Sequence, residues 1–419
     1  MIKFVANLSK IRLSYYFKME LLFKKLKKTA KTTFRVVLAV LSIVLLFSII
    51  VWIFAPSYKF PPKKVFEGKE WYNPYLGLDS AKWYAASLHI MPKGGSIFKS
   101  SNYENESKIL SYYKSKGVTY PVISDKLSVR VTNASDSLNF HSYEHGFNLL
   151  GQNRLIIGAA DMKFFDYPIY LSTSQSQSMI HKNRPIAEIV VLSGITKYSK
   201  GAFSKLTDYD LLEIPDNSES VIKRWDIALS AGRAAFMLAA KPENPLKDQT
   251  TIMNAVTMIP VAARDFQLIY GALKDGMSYG LYRNQSKSLD QFVIDSLPRL
   301  ISLTLKGDTA SILFSKSMAK IEVYTDGGAN SISVTNTSAV DYKIPSEVSY
   351  VRFYAQDLEG NEYLLNPLLR SIDGKKPVII GADINKSMML LKRVIFLVLL
   401  AAGYLYLKKS NFIARFKTK

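Results

Sequence analysis

An apolar stretch near the start of the chain, from Val36 to Ala55, contains no charged residue. An α-helix rises about 1.5 Å per residue, so a stretch of this length can cross the roughly 30 Å hydrocarbon core of a bilayer. The long basic leader before it, and the lack of a small-residue cleavage motif after it, favour an uncleaved anchor over a signal peptide. The sequence therefore predicts a transmembrane helix over residues 35–56.

A second apolar stretch, from Val394 to Leu407, lies near the other end and is shorter. It reaches the length of a span only if residues 388–391 join it and the side chains of Lys392 and Arg393 extend to the interface. On that basis the sequence predicts a second transmembrane helix over residues 388–407. A helix that lies on the membrane, or packs against another protein, remains an alternative.

The chain carries a net charge of +21, and most of the excess lies beside the two apolar stretches. Ten Lys or Arg residues and one Glu precede Val36, and seven basic residues but no acidic residue follow Met388. By the positive-inside rule, both termini, including the basic tail 408–419, are expected in the cytoplasm and the long central part outside it. Basic residues beside spans meet anionic headgroups, so this charge does not indicate binding to nucleic acid.

The leader, residues 1–34, mixes Lys and Arg with apolar residues at three- and four-residue steps. This composition is typical of a basic amphipathic helix at a membrane interface. Two interpretations remain open: a helix that simply precedes the anchor, and a helix that docks a cytoplasmic partner.

The central part is long enough for one or two cores, and because the chain has no Cys, it has neither a disulfide nor a thiolate metal site. An N-terminal extension over residues 57–82 comes first. Short apolar segments then alternate with amphipathic helical segments over residues 83–290, which favours βα units in a barrel or a parallel sheet. Residues 291–375 contain runs rich in Ile, Val, Tyr and Ser, broken by Gly-containing turns, and predict a β-sandwich-like module.

Six fragments of the central part occur in an order that points to a family. They are WYNPY (71–75), WYAASLHIM (83–91), VISDK (122–126), YEHG (143–146), YDLLEI (209–214) and WDIALSAG (225–232). Together they resemble the polymerase and histidinol phosphatase (PHP) superfamily, and above all its exported members with a β-module. The resemblance covers roughly residues 66–370. It implies an α/β fold with a distorted (βα)7 barrel, a bacterial cytoplasmic (inner) membrane location, and, in active members, up to three divalent metals that hydrolyse phosphate esters.

Such chemistry needs several imidazoles and carboxylates at one barrel mouth, because the metals both activate a water and neutralise phosphoryl oxygens. By the resemblance, His89, Asp125 and Glu144 match metal ligands of the family. The remaining ligand positions are occupied by residues that do not match: Met91, Lys126, Asn153, Ser193 and Asn244. A trinuclear site cannot be assembled, so we expect no cofactor. The alternative is one divalent metal held by, at most, His89, Asp125, Glu144 and His145.

Lys126 has two interpretations. Asp125 and Glu144 would be costly to bury as charged groups without a cation, and the ammonium group of Lys126 could supply the positive charge that a metal supplies elsewhere in the family. Alternatively, Lys126 is an ordinary exposed residue that follows a strand.

The sequence contains no nucleophile elbow, phosphate-binding glycine loop or zinc-protease motif. The expected function is therefore that of a membrane-anchored pseudoenzyme with no catalytic residue. We expect it to have a binding or scaffolding role among other envelope proteins. Its central part is expected to be periplasmic or extracellular. Two alternatives remain: a residual metal-dependent phosphoesterase, and a sensor that binds an anionic ligand in the vacated pocket.

Overall fold

The computed structural model describes residues 2–78, 82–92, 103–135, 138–242, 253–261, 265–286 and 292–409. The chain divides into two compact units, Met1–Phe54 and Ala55–Lys419.

The first unit is a single helix, α1 (Ile2–Phe54). Its part from Lys25 to Phe54 is long and apolar enough to cross a membrane, and most of its large apolar side chains are exposed. Apolar side chains that no protein surface covers are expected where lipid replaces water as the solvent. The helix also contains the predicted leader, which therefore continues into the span without a break.

The second unit ends in another long helix, α6 (Lys386–Lys409). Its segment Lys386–Tyr406 also has the length and composition of a membrane span, and none of its most apolar window is buried. Two helices of the kind that the sequence predicts are thus present. By length and composition, both could cross a membrane.

A short two-stranded ribbon pairs the start of the second unit with the residues that precede α6. Strand β1 (Tyr58–Lys59) pairs antiparallel with β19 (Asp383–Ile384), and the Asn385 amide donates to the Ser57 carbonyl at 2.8 Å. Nearby, the Lys392 ammonium group donates to the Ala55 carbonyl at 3.2 Å. The residues that follow the first apolar stretch therefore lie beside those that begin the second.

The strands between these ends form two larger sheets. The first has the order β10-β9-β8-β7-β6-β5. Its strands are β5 (Arg130–Ser135), β6 (Leu138–His145), β7 (Asn153–Ile157), β8 (Ile189–Ser193), β9 (Leu211–Ile214) and β10 (Phe236–Ala239). The pairs β8–β9 and β9–β10 are parallel, and their residues are buried throughout, as expected for strands covered on both faces. Helices α3 (Thr173–Asn183) and α4 (Glu219–Leu229) connect strands of this sheet.

The second large sheet follows the order β13-β14-β16-β17-β12-β11-β3-β4 and contains eleven strands in all. Its first part is made of β2 (Glu70–Tyr72), β3 (Tyr84–Ile90), β4 (Val118–Ile123), β11 (Ala255–Ile259) and β12 (Tyr279–Tyr282), with helices α2 (Tyr103–Ser115) and α5 (Phe266–Lys274). The β-rich part adds β13 (Leu300–Lys306), β14 (Thr309–Thr325), β15 (Ala329–Lys343), β16 (Tyr350–Asp357), β17 (Glu362–Leu365) and β18 (Leu368–Ser371). Because β17 pairs with β12, the two parts share one sheet.

The mixed α/β class and the β-rich C-terminal part are as predicted, but no closed barrel is detected among the described strands. Strand β7 runs antiparallel to both β6 and β8, whereas repeated βα units would make such neighbours parallel. One reason is local: residues 146–152 reverse the chain between β6 and β7 without a helix, and a connection of that length joins antiparallel strands.

The two large sheets meet at both ends of the six-stranded sheet. At one end, the amides of Leu127 and Glu144 donate to the carbonyls of Glu144 and Asp125, at 2.9 and 3.0 Å. At the other, the Thr257 hydroxyl on β11 donates to the Ala239 carbonyl on β10 at 3.0 Å. The carboxyl-terminal ends of β3, β6, β8 and β9 are thereby held near one another.

Candidate functional site

A cluster of charged and polar side chains forms where these strand ends meet. His89 comes from β3, Glu144 from β6 and Glu213 from β9, while Asn153 begins β7 and Ser193 ends β8. All except Asn153 are almost completely buried. Five separate strands therefore contribute one side chain each to a single polar cluster inside an apolar core.

His89 lies between two carboxylates. Its Nδ1 atom is 2.5 Å from Oε1 of Glu213, and its Nε2 atom is 3.3 Å from Oε2 of Glu144, although the latter pair is not aligned as a hydrogen bond. Burial by itself lowers the pKa of His89, but the negative charges of Glu213 and Glu144 outweigh it and raise that pKa to about 10. The imidazole is therefore a cation at neutral pH, enclosed by two anions.

Glu213 was not singled out by the sequence, although the fragment YDLLEI contains it. Its Oε2 atom accepts a short hydrogen bond from the Ser193 hydroxyl and a longer one, 3.4 Å, from the Gly194 amide. The available signal was a single carboxylate inside the otherwise apolar strand β9, whose four residues are all buried. A charge at such a position requires a partner, and His89 is that partner.

Glu144 is held from the other side by one hydrogen bond and one ion pair. The Asn153 amide nitrogen donates to Oε1 at 2.9 Å, and the Lys126 ammonium nitrogen lies 3.8 Å from the same atom. The side chain of Lys126 is 20 % exposed, so its charge is only partly screened by water. Lys126 thus faces a carboxylate of the cluster, as the first of its two interpretations requires.

Asp125 has a different partner. Its fully buried carboxylate accepts a hydrogen bond of 3.0 Å from Nε of Arg130, and Nη2 of Arg130 lies 3.4 Å from Oε1 of Glu106. Sequence reasoning did not consider Arg130, which follows Asp125 by only five residues. The arginine provides a positive charge beside Asp125 that is separate from Lys126.

His145 belongs to another buried network, outside the cluster around His89. Its Nε2 donates to the Phe165 carbonyl at 3.0 Å, and its Nδ1 lies 3.4 Å from Nη1 of Arg154. Burial first, and then the charge of Arg154, lower the pKa of His145 to about 4, which leaves the ring neutral. Arg154 in turn lies 3.8 Å from Asp166, and the Tyr170 hydroxyl contacts both side chains.

The other predicted positions are placed as follows. Met91 directly follows β3 and is buried, whereas Asn244 lies outside the described residues. Of the four residues weighed as ligands of a single metal, the structure brings together His89 and Glu144, pairs Asp125 with Arg130, and directs His145 to Phe165 and Arg154.

The cluster holds the ring of His89 between two carboxylates. Within the described ranges, no group of three or more His, Asp and Glu side chains is arranged to hold a metal ion. A protonated imidazole has no free lone pair for a metal, and His89 would have to lose its proton before it could act as a ligand. The cluster can instead hold two carboxylates near a cation and keep the ends of five strands together.

Comparison with family models, with curated proteins and with solved structures found no match to this chain.

Proposed function

We propose that this protein is a membrane-anchored, PHP-like pseudoenzyme with a binding or scaffolding role in a bacterial envelope assembly. The observation that carries the proposal is the position of His89 between Glu213 and Glu144. In a metal hydrolase, carboxylates at this place share their negative charge with metal ions. Here the imidazolium of His89 and the ammonium group of Lys126 supply the positive charge instead.

The pairing of the two glutamates supports a site that is complete without metal. Buried carboxylates are costly unless they are paired and hydrogen-bonded, and Glu144 and Glu213 each have both a cation and a neutral donor. A metal that entered beside Glu144 would have to displace the proton on Nε2 of His89, although the contact of Nδ1 with Glu213 could remain. We therefore propose that no cofactor is needed and that the cluster stabilises the fold.

The family resemblance supplies the finer architecture of the proposal. The contacts that join β4 to β6 and β10 to β11, at the two ends of the six-stranded sheet, are those expected if the strands follow the path of a distorted (βα)7 barrel. Membership of the PHP superfamily remains part of the proposal.

The proposed location is the bacterial cytoplasmic membrane, with both termini in the cytoplasm and the central part outside it. The basic flanks of both apolar helices support this location. So does the pairing of β1 with β19, which brings the residues after the first apolar stretch next to the residues before the second. A domain held at a membrane by two anchors is suited to a partner in the same envelope more than to a diffusing substrate.

Metal content tests the absence of catalysis. The full chain, purified in mild detergent with Zn, Mn and Fe supplied during growth, should contain far less than one metal ion per chain and should not hydrolyse generic phosphate esters. Stoichiometric metal that disappears in His89→Ala and Glu144→Ala, but not in the exposed control Glu347→Gln, would instead support a residual phosphoesterase.

Copurification tests the scaffolding role. The full chain should retain other envelope proteins in mild detergent, and the triple replacement Asp125→Asn, Lys126→Met and Glu144→Gln should leave that association intact. If the triple variant is folded and abundant but loses this association or gives the phenotype of a deletion, the pocket itself is in use. A sensor of an anionic ligand then becomes the better proposal.

A further inference from the structure

Two neighbouring loops of the second unit expose six large apolar side chains. One loop is residues 146–152, between β6 and β7, and the other is residues 158–172, between β7 and α3. The loops touch each other, because the Leu149 amide donates to the Pro168 carbonyl at 2.9 Å. The six residues, which together form the loop patch, are Phe147, Leu149, Leu150, Phe164, Phe165 and Leu171. A surface with so many large apolar side chains is typical of a contact site.

A buried carboxylate holds both loops in place. The Asp166 side chain accepts hydrogen bonds from the Phe147 amide at 2.8 Å and from the side-chain amide of Asn148 at 2.9 Å. The guanidinium group of Arg154, which is fully buried, lies 3.8 Å from Asp166 and balances its charge. The backbone of both loops is thus anchored from inside, so a packed framework displays the apolar side chains.

The second loop ends beside the ribbon that precedes α6. Leu171 is three residues before Ser174, whose Oγ accepts a hydrogen bond of 3.2 Å from the Tyr58 amide. Three residues of chain span at most about 10 Å. Tyr58 pairs with Ile384, which is itself exposed, and α6 begins two residues later at Lys386. Exposed apolar residues thus occur at each step from the loop patch, through the ribbon, to a helix whose most apolar window is not buried.

Lysines accompany these apolar residues. Nζ of Lys182 lies 4.5 Å from the ring centre of Phe165, and Lys163 belongs to the second loop. The sequences of the two loops contain only two acidic residues: Asp166 is buried, and Asp161 lies 3.5 Å from Lys163. Lysine is depleted at protein–protein interfaces, whereas apolar residues mixed with lysines are typical of a surface that rests on anionic lipid. The composition therefore favours a bilayer over a protein as the occupant.

We propose that the loop patch inserts into the headgroup region of the anionic bilayer that α6 crosses. The inference rests on the proposed membrane location and adds a further site at which the domain contacts the same lipid. The Phe and Leu side chains lie at the boundary between headgroups and acyl chains, and Lys163 and Lys182 meet the lipid phosphates. This contact fixes the orientation of the domain relative to the membrane.

Labels on single cysteines test this proposal, because the chain has no natural Cys. The full chain carries an environment-sensitive fluorophore at Leu149→Cys or Phe164→Cys and is reconstituted in nanodiscs of mixed phosphatidylglycerol and phosphatidylcholine. Both labels should emit at a shorter wavelength than a matched label at Leu358→Cys, an equally exposed apolar position in the turn between β16 and β17. Lipids that carry a spin label high on the acyl chain should quench both by about twofold or more, and should not quench the label at Leu358→Cys.

A label within α6 separates this proposal from the one on which it rests. Val398→Cys should be quenched whether or not the loop patch touches lipid. If Val398→Cys is not quenched, the membrane location fails and this proposal fails with it. If Val398→Cys is quenched while Leu149→Cys and Phe164→Cys are not, the loop patch does not meet the bilayer, and the membrane location stands.

Substitutions and lipid charge give an independent check. With the label at Leu171→Cys, the added pair Leu149→Asp and Phe164→Asp should lower the quenching to the level at Leu358→Cys, because charged side chains resist insertion into lipid. The added control Leu358→Asp should leave it unchanged, and neither change should affect a label at Val398→Cys. Nanodiscs of phosphatidylcholine alone should weaken the quenching at Leu171→Cys only, because the lysines then lose their anionic partners.

Two further results would overturn the proposal. Labels that shift to a shorter wavelength without being quenched would mean that protein, such as a second copy of the chain, covers the loop patch. Equal quenching of these labels in neutral and in anionic nanodiscs would exclude the recognition of anionic lipid by Lys163 and Lys182.

Discussion

Nδ1 of His89 lies 2.5 Å from Oε1 of Glu213, although the two residues are 124 positions apart and belong to different sheets. The contact ties β3 to β9 and places an imidazolium beside a buried carboxylate. The proposed loss of metal chemistry depends on this charge, because Glu213 raises the pKa of His89 and a charged ring carries a proton on Nε2 as well, where a metal would otherwise bind.

The contact predicts how stability depends on pH. The folded-state pKa of His89, about 10, is above its ordinary value of 6.5, so its stabilising charge is fully present below pH 6.5 and is lost as the pH rises through 10. We expect the free energy of unfolding to fall by a few kcal/mol over this window, on the scale of about 1.4 kcal/mol per pKa unit. NMR of the labelled imidazole should show it still charged at pH 8.5.

Glu213→Gln should lower the folded-state pKa of His89, because it removes the negative charge that raises this pKa most. The pH range over which stability is lost should become narrower as a result. The exposed control Glu347→Gln should leave the titration unchanged. An imidazole that titrates near pH 6.5 in the unmodified protein would contradict the arrangement.

A second buried ion pair joins the α/β part to the β-rich part. Arg352 donates from Nε and Nη2 to the two carboxylate oxygens of Asp226, each at 2.9 Å, and the Tyr350 hydroxyl donates to the same carboxylate at 3.0 Å. Asp226→Asn should destabilise the protein by about 3–5 kcal/mol, because it leaves a buried arginine uncompensated. Denaturant unfolding measures this cost.

Two variants set the scale for that measurement. Adding Arg352→Met to Asp226→Asn should recover most of the loss, since the unpaired charge is then absent. Asp295→Asn, which breaks an exposed pair with Arg299, should cost less than about 1 kcal/mol. Equal costs for the buried and the exposed change would refute the structural role of Asp226.

Gly232 should not tolerate a side chain. Its φ is +72°, and a Cβ atom there would lie 1.7 Å from the Lys64 carbonyl oxygen. Gly232→Ala should therefore destabilise the protein by about 2 kcal/mol or more and shift residues 61–67. In helix α5, Gly271→Ala has open space and should be neutral or stabilising by up to about 1 kcal/mol, which thermal unfolding can compare directly.

The pairing of Lys59 with Asp383 can be tested by cross-linking, because the chain has no natural Cys. The double variant Lys59→Cys and Asp383→Cys should form an intramolecular disulfide after export to an oxidising compartment. Lys59→Cys combined with Asp295→Cys should not. If both cysteines of Lys59→Cys and Asp383→Cys remain free thiols in the exported protein, either the ribbon or the location of the domain is wrong.

Topology has its own test. A periplasmic reporter fused after Tyr58 or Gly381 should be active, and one fused after Lys419 inactive. An active fusion at Lys419 would mean that the second apolar helix does not cross the membrane.

The fragments of the sequence led to most of the cluster but not to its full chemistry. The family pattern named His89, Glu144 and Lys126 inside these fragments and Asn153 and Ser193 outside them, and these residues do meet in space. Glu213 and Arg130 were not predicted. The partner of a buried charge depends on which strands lie close together after folding, and no fixed sequence spacing indicates it.

The sequence by itself determined the features that depend on local composition. The long uncharged stretch that begins at Val36 predicts a helix of membrane-spanning length, because a segment in lipid must satisfy its own backbone hydrogen bonds, and the structure has a helix of that length and composition there. The β-rich character of residues 300–371 likewise follows from alternating side chains and Gly turns.

Only the tertiary structure decided which strands are neighbours and which charges face each other. The antiparallel course of β7, the enclosure of His89 by Glu144 and Glu213, and the contact of Ser174 with Tyr58 each combine segments that are far apart in the chain. Their energies arise from burial and from distances between atoms, and these exist only after the sheets have packed.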